Sequence, residues 1–279
     1  MNLSKLNFIY AAIFIFLCDY GYTQDKLPSR IISLSPALTE GIYALGAQDK
    51  LIADTIYCTR PAFAKEKEKI GTLTGINIEK VLAMKPDLVL VTTMLSDNDK
   101  NLLRNFNINT AVFAEPVNFD DLCEQFIRLG GLIGKRAEAE EMIGDVKNEI
   151  NEIRGSVSSK AGPKVFVQIG AKPLFTVNKN SFVNDLIEFS GAVNIAKDSP
   201  QGIYSREEVL RKNPDIIIIA SMGIIQEEEM KLWRSFESIG AVKNNRIHFV
   251  CADVVTRPNP AAFLQALKEF VKIIHPDNE

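Results

Sequence analysis

The sequence predicts an α/β protein of two Rossmann-like lobes with parallel sheets, joined by one long helix, and three observations predict it. First, the segment Asn77-Ile-Glu79-Lys-Val81-Leu82-Ala-Met-Lys-Pro86-Asp87, running on through Leu88–Val91, recurs as Ser205-Arg-Glu207-Glu-Val209-Leu210-Arg-Lys-Asn-Pro214-Asp215 with Ile216–Ile219, 128 residues later. Each copy reads as an Asn or Ser N-cap, a helix of about two turns, a proline stop and an apolar strand. Second, the runs Leu88–Val91 and Ile216–Ala220 show no polar alternation, as expected of parallel strands covered on both faces. Third, apolar residues recur at helical spacing between the copies, at Leu122, Phe126, Leu129 and Ile133 and then Met142, Val146, Ile150 and Ile153.

In chain order, the N-terminus has one lysine at position 5 and an apolar stretch from Leu6 to Cys18, shorter than the ~20 residues that span a bilayer. It reads as a signal peptide over 1–23, with Gly21 and Thr23 before a cut at Gln24. Cys18 invites a lipid anchor, but Leu17 stands where a small residue is wanted, so lipidation is not the favoured reading. The N-terminal lobe, 30–118, opens with the strand Arg30–Ser35; Pro36 then starts a helix capped by Ser35 that stops at Gly46. A strand at Leu51–Thr55, the loop Ile56–Pro61, the turn Gly71–Gly75, the first repeat copy, a helix at Asp97–Phe106 and a strand at Thr110–Ala114 follow.

The segment 119–160 is expected to be a single linker helix, bent at Gly130-Gly131 and long enough, at ~1.5 Å per residue, to reach roughly 50 Å. The alternative is a pair of helices packed on the first lobe. The C-terminal lobe, 161–279, restarts with the strand Lys164–Gly170, a helix at Ser181–Ser190, the second repeat copy, a helix through Trp233, the strand Arg246–Val250 and a last helix Ala261–Ile274. Trp233, among Met230 and Phe236, is read as packing.

The 279 residues are 46% hydrophobic and 24% charged with a net charge of −3, which describes a globular protein without the basic stripe of a nucleic-acid binder. Only His248 and His275 are present, too few for a zinc or haem ligand set. No G-x-S-x-G elbow, Walker loop or strand-linked G-x-G-x-x-G occurs, and a Cys58/His248 dyad would lack a third, orienting group. Cys58, Cys123 and Cys251 are an odd set for an oxidising compartment, and the sequence does not pair them.

In open parallel sheets the ligand crevice lies beyond the carboxyl ends of the strands. The loops there carry Pro36, Tyr57, Phe175 and Arg257, with Tyr204 if the 196–204 segment folds inward. Aromatic walls with a few polar groups suit a sizeable organic ligand. Glu79 and Glu207, one per lobe in the first turn of the repeated helix, either complement a helix dipole or are displayed to a partner. Ser205 and Glu208 also match an S-x-x-E capping box.

From Arg30 to the last helix the chain resembles the class III periplasmic binding proteins of vitamin and siderophore ABC importers, most of all the cobalamin-binding branch. The residues that carry this are Arg30-Ile-Ile-Ser-Leu-Ser-Pro36 with Thr39-Glu40, Tyr43-Ala-Leu-Gly46, Tyr57-Cys-Thr-Arg-Pro61, Gly75-Ile-Asn-Ile-Glu79, Lys85-Pro-Asp-Leu-Val-Leu90 and Ser205-Arg-Glu207-Glu-Val-Leu210. The resemblance implies a monomeric, periplasmic, non-enzymatic binder that needs no cofactor or metal of its own. It would carry cobalamin or a related corrinoid to an ABC permease dimer. By motif position it implies a cleft of Pro36, Tyr57, Thr72, Leu73, Phe175 and Arg257, and docking of Glu79 and Glu207 on permease arginines. Leu73, Gln201 and Val254-Val255 stand where that branch commonly places aromatic residues, which leaves haem and ferric siderophores as alternative ligands; an exported enzyme on the same fold is the alternative of another class.

Overall fold

The computed structural model describes residues 27–157, 162–221, 225–253 and 257–276, so the segment read as a signal peptide, Cys18 and Val254-Val255 lie outside the described residues. The first lobe is a five-stranded parallel sheet in the order β3-β2-β1-β4-β5, formed by β1 (Ile31–Ser33), β2 (Leu51–Asp54), β3 (Glu68–Lys69), β4 (Leu88–Thr92) and β5 (Thr110–Phe113). Its helices are α1 (Pro36–Ala44), α2 (Ile78–Met84) and α3 (Asp97–Asn105). In the second lobe β10 (Ile247–Cys251), β9 (Ile216–Ser221) and β6 (Lys164–Gly170) run parallel. The antiparallel β7 (Phe175–Thr176) and the parallel β8 (Val193–Asn194) both pair with β6. Helices α6 (Phe182–Phe189), α7 (Arg206–Lys212), α8 (Ile225–Arg234), α9 (Gly240–Lys243) and α10 (Pro260–Ile274) complete it.

The duplication holds at the level of single hydrogen bonds. Asn77 caps α2 by accepting from Lys80 N, and Ser205 caps α7 by accepting from Glu208 N. Both helices end on a left-handed residue, Lys85 at φ 46° and Asn213 at φ 49°. Beyond the proline, Asp87 accepts from Arg30 N and Asp215 from Lys164 N, while their own amides donate to Arg30 O and Lys164 O at 2.8 Å each. Each aspartate thereby fixes the register between the repeat strand and the strand that opens its lobe.

Side-chain alternation explains the unbroken apolar runs, because both faces of every central strand are cores. Ile31, Leu88, Leu90, Val165, Val167, Ile216 and Ile218 face one continuous core that spans the two lobes. Ile32, Val89 and Val91 face a second core confined to the first lobe. Phe166, Ile217 and Ile219 face a third, around Trp233, in the second lobe.

Two expectations are corrected here. The described part of the linker segment, 119–157, is two helices, α4 (Phe119–Ile133) and α5 (Arg136–Ser156), and 158–160 lie outside the described residues. The break comes at Gly134, in the left-handed region at φ 75°, and not at Gly130-Gly131. Gly130 instead permits the fold-back, since a Cβ there would lie 2.7 Å from Lys135 O and 2.8 Å from the Ala139 Cβ. Helix α4 packs on α1, α5 and α10, so the connecting helix is α5 alone, 21 residues or roughly 32 Å long. Ser35 precedes α1, but its side chain makes no capping bond; its carbonyl accepts from Ser33 Oγ at 3.1 Å instead.

Candidate functional site

In a parallel sheet the ligand crevice is expected beyond the carboxyl ends of the strands, and the candidate residues follow β1, β2, β6 and β10. Beyond β2 the loop is held from beneath. Lys69 on β3 donates to Asp54 Oδ1 at 2.5 Å, to Cys58 O at 3.2 Å and to Ala64 O at 2.8 Å. The Cys58 thiol is fully buried against Thr39 and Thr55 at 3.3 and 3.2 Å, and burial pushes its pKa up. That side chain is structural and sits in a different lobe from His248, so no Cys/His dyad forms. Among the described residues the cysteines are free and no group of metal-ligating side chains assembles. Above this anchor Tyr57 is 48% exposed, next to the equally open Ile56.

Pro36 is the first residue of α1 and half-buried. Thr72 Oγ1 accepts from Gly75 N at 3.1 Å, so its hydroxyl shapes the 71–76 turn and leaves the half-buried Leu73 as the apolar contribution of that turn. In the second lobe, Phe175 is held by β7 pairing and by an isolated bridge to Ile203, and remains 37% exposed. Gly170 packs tightly beside it, since a Cβ there would lie 3.0 Å from the ring.

Tyr204 does not join these residues, contrary to the sequence expectation. Its ring lies 5.8 Å from that of Phe166 in the second-lobe core, and its hydroxyl donates to Ile195 O at 3.4 Å. Alternation along an extended segment turns Tyr204 in and its neighbour Ile203 out. Ile203, 47% exposed and bridged to Phe175, is the apolar side chain this segment leaves open, and the sequence reading missed it.

Arg257 reaches the site already neutralised. Its guanidinium meets Glu40 at 2.9 Å and Asp253 at 2.9 Å and donates to Thr59 Oγ1 at 3.2 Å. Arg60 approaches the same carboxylates, Glu40 at 3.2 Å and Asp253 at 3.6 Å. Glu40 and Arg60 belong to the first lobe and Asp253 and Arg257 to the second, so two cations and two anions bind the lobes together. Glu40 and Arg60 entered the sequence reading only inside family motifs and without a role, and Asp253 not at all; the i, i+4 spacing of Asp253 and Arg257 was a further available signal.

A small cavity of about 60 Å³ lies behind α1, lined by Ser35, Thr92, Glu115, Gln125 and Asn259. The space suits one or two water molecules and not a macrocycle.

Glu79 and Glu207 occupy equivalent exposed positions in the first turns of α2 and α7. The Glu207 carboxylate is held below its usual range by its own amide and the Ser205 hydroxyl. The expected capping box is corrected in one half: Ser205 Oγ accepts from Glu208 N at 3.1 Å, but the Glu208 carboxylate pairs with Arg211. Among the described residues no helix is long and apolar enough to cross a membrane.

Two parallel-sheet lobes joined through α5 are the fold to be compared with known proteins. The family described as periplasmic binding protein matches residues 31–253, and the chain belongs to that family. It is 35% identical over 210 residues to a vitamin B12-binding protein of Pectobacterium carotovorum, covering 74% of this chain and 75% of that one. Among solved structures, the periplasmic vitamin B12-binding protein of Vibrio cholerae superposes with a TM-score of 0.75 at 27% identity, covering 88% of this chain and 96% of that one. A possible iron-binding periplasmic solute-binding protein of Staphylococcus epidermidis superposes with a TM-score of 0.79 at 28% identity, covering 90% of this chain and all of the other.

Proposed function

We propose that this chain is an extracytoplasmic substrate-binding protein that captures cobalamin or a related corrinoid between its lobes and delivers it to an ABC importer permease. Its part is binding and presentation, not catalysis. The observation that carries the ligand reading is the charge state of the cleft. Arg60 and Arg257 both face carboxylates at Glu40 and Asp253, so the four charges cancel and the inner guanidinium, Arg257, is already paired. A haem brings two propionates and ferric catecholate or carboxylate siderophores bring net negative charge; pairing them with Arg257 would compete with its largely buried ion pairs to Glu40 and Asp253. A corrinoid rim is made of uncharged amides, which can donate to and accept from a neutral network without disrupting it. Tyr57, Phe175, Ile203 and Leu73 then offer apolar surface to the ring.

The likeness to vitamin B12-binding proteins supports the same ligand. The alternative, haem or a ferric siderophore, draws on the Staphylococcus epidermidis neighbour and on Lys172, which is exposed on the turn between β6 and β7 and stands outside the paired network. Delivery would use Glu79 and Glu207, one grip per lobe. The test is the absorption spectrum of the protein purified from its native host. Corrinoid bands at one equivalent per chain are expected; a Soret band or a ferric siderophore charge-transfer band would overturn the ligand assignment.

A further inference from the structure

Helix α7 carries one of the two docking glutamates, yet at seven residues it is too short to hold its own orientation. Besides the fully buried Val209, what holds it is a buried polar chain. Arg206, the residue before Glu207, points inward and donates to Glu229 Oε2 on α8 at 2.6 Å. Gln168 Nε2 on β6 donates to the same oxygen at 2.8 Å, and the Trp233 indole donates to Gln168 Oε1 at 2.6 Å. The Arg206 guanidinium also lies over the Trp233 ring, 4.7 Å from its centroid. Glu229 is 6% exposed and Arg206 20%, and Arg206 Nη1 is buried without a hydrogen-bond partner.

Stability does not account for such an arrangement. A buried ion pair is often no better than apolar side chains of equal size, and an unpaired buried N–H is a further cost. Its distinctive product is direction. Successive helical residues diverge by ~100°, so fixing Arg206 toward the core fixes Glu207 toward solvent. The equivalent helix of the first lobe is built otherwise: Ile78 stands at the position of Arg206, and the neighbouring ion pair, Lys80 with Glu68, is half exposed at both ends.

We propose that Arg206 and Glu229 are positioning residues for docking, which set the angle at which Glu207 is presented to the permease. This rests on the docking role of Glu207 proposed above. The experiment measures complex formation between the ligand-free full chain and its detergent-solubilised cognate permease. Wild type is compared with Glu207→Ala, Arg206→Met/Glu229→Leu, Glu229→Gln and Lys80→Ala, each shown to be folded by far-UV circular dichroism. Trp233, the one tryptophan of the chain, reports separately whether the network has been altered, through its emission and near-UV signal. Expected are at least tenfold weaker association for the Arg206/Glu229 pair variant, a smaller loss for Glu229→Gln and less than a twofold change for Lys80→Ala. Wild-type association of the pair variant beside a defective Glu207→Ala would overturn the positioning role and leave docking intact. Wild-type association of Glu207→Ala would remove the docking role itself. If the pair variant does not fold, Glu229→Gln decides by the same comparison.

Discussion

Removing the Arg257 guanidinium should cost far more than removing its neighbour Arg60, although both contact the same two carboxylates. In Arg257→Ala, Glu40 and Asp253 lose partners at 2.9 Å each, in surroundings where Arg257 is 11%, Glu40 13% and Asp253 23% exposed. Breaking one side of a fully buried pair costs about 3–5 kcal/mol. Here Glu40 keeps Arg60 at 3.2 Å and Asp253 keeps it at 3.6 Å, so the carboxylates are not orphaned. About 2 kcal/mol is the resulting expectation. Arg60 is 46% exposed, and solvent screening brings Arg60→Ala to about 0.5 kcal/mol, shrinking further in salt. Urea unfolding of the two variants at low and high salt measures both numbers. Equal losses, or a larger loss for Arg60→Ala, would refute the view that Arg257 is the inner, structural member of the network.

Rigidity follows from the shared core and α5, so cyanocobalamin should change the radius of gyration little; a large drop in small-angle scattering would contradict it. Glu79→Ala/Glu207→Ala should leave thermal unfolding and ligand affinity nearly unchanged while complex formation with the permease falls by at least tenfold, and wild-type recovery in a pull-down would return both glutamates to a helix-dipole role. Asp54 is fully buried with its carboxyl pushed up to about 6 by burial, against the opposing pull of Lys69. The folded state therefore holds this proton more tightly than the unfolded chain, and stability should decline as pH rises from about 4 to about 6, by up to about 3 kcal/mol. Asp54→Asn should be less stable where the Lys69 ion pair is lost but should flatten that slope; an unchanged slope in urea unfolding at pH 4, 5 and 6.5 would reject the assignment.

The lobes were legible because their signals are local. The caps at Asn77 and Ser205, the prolines at 86 and 214 and the uninterrupted apolar strands each act within a few residues, and the structure places them as read. The helix break at Gly134 was missed because three glycines lie within five residues, and only the packing of α5 back across Gly130 decides which one turns the chain. Tyr204 was misplaced because its orientation depends on the Phe175–Ile203 bridge, a pairing between segments that carry no alternating pattern. Arg257 was singled out in the sequence, but its neutralisation was not legible there, since Glu40 lies 217 residues away. The network that holds Arg206 had no signal either: Gln168 interrupts an apolar strand and Glu229 sits in a run of acids, and neither shows its partner until the fold brings them together.

Calorimetric titration of the purified chain against cyanocobalamin, haem and a ferric siderophore tests the central claim most directly. Saturable binding of cyanocobalamin at one per chain, with the two anionic ligands weaker because Arg60 and Arg257 are already paired, is the predicted result. Tight binding of haem or the siderophore, with no heat from the corrinoid, would contradict it.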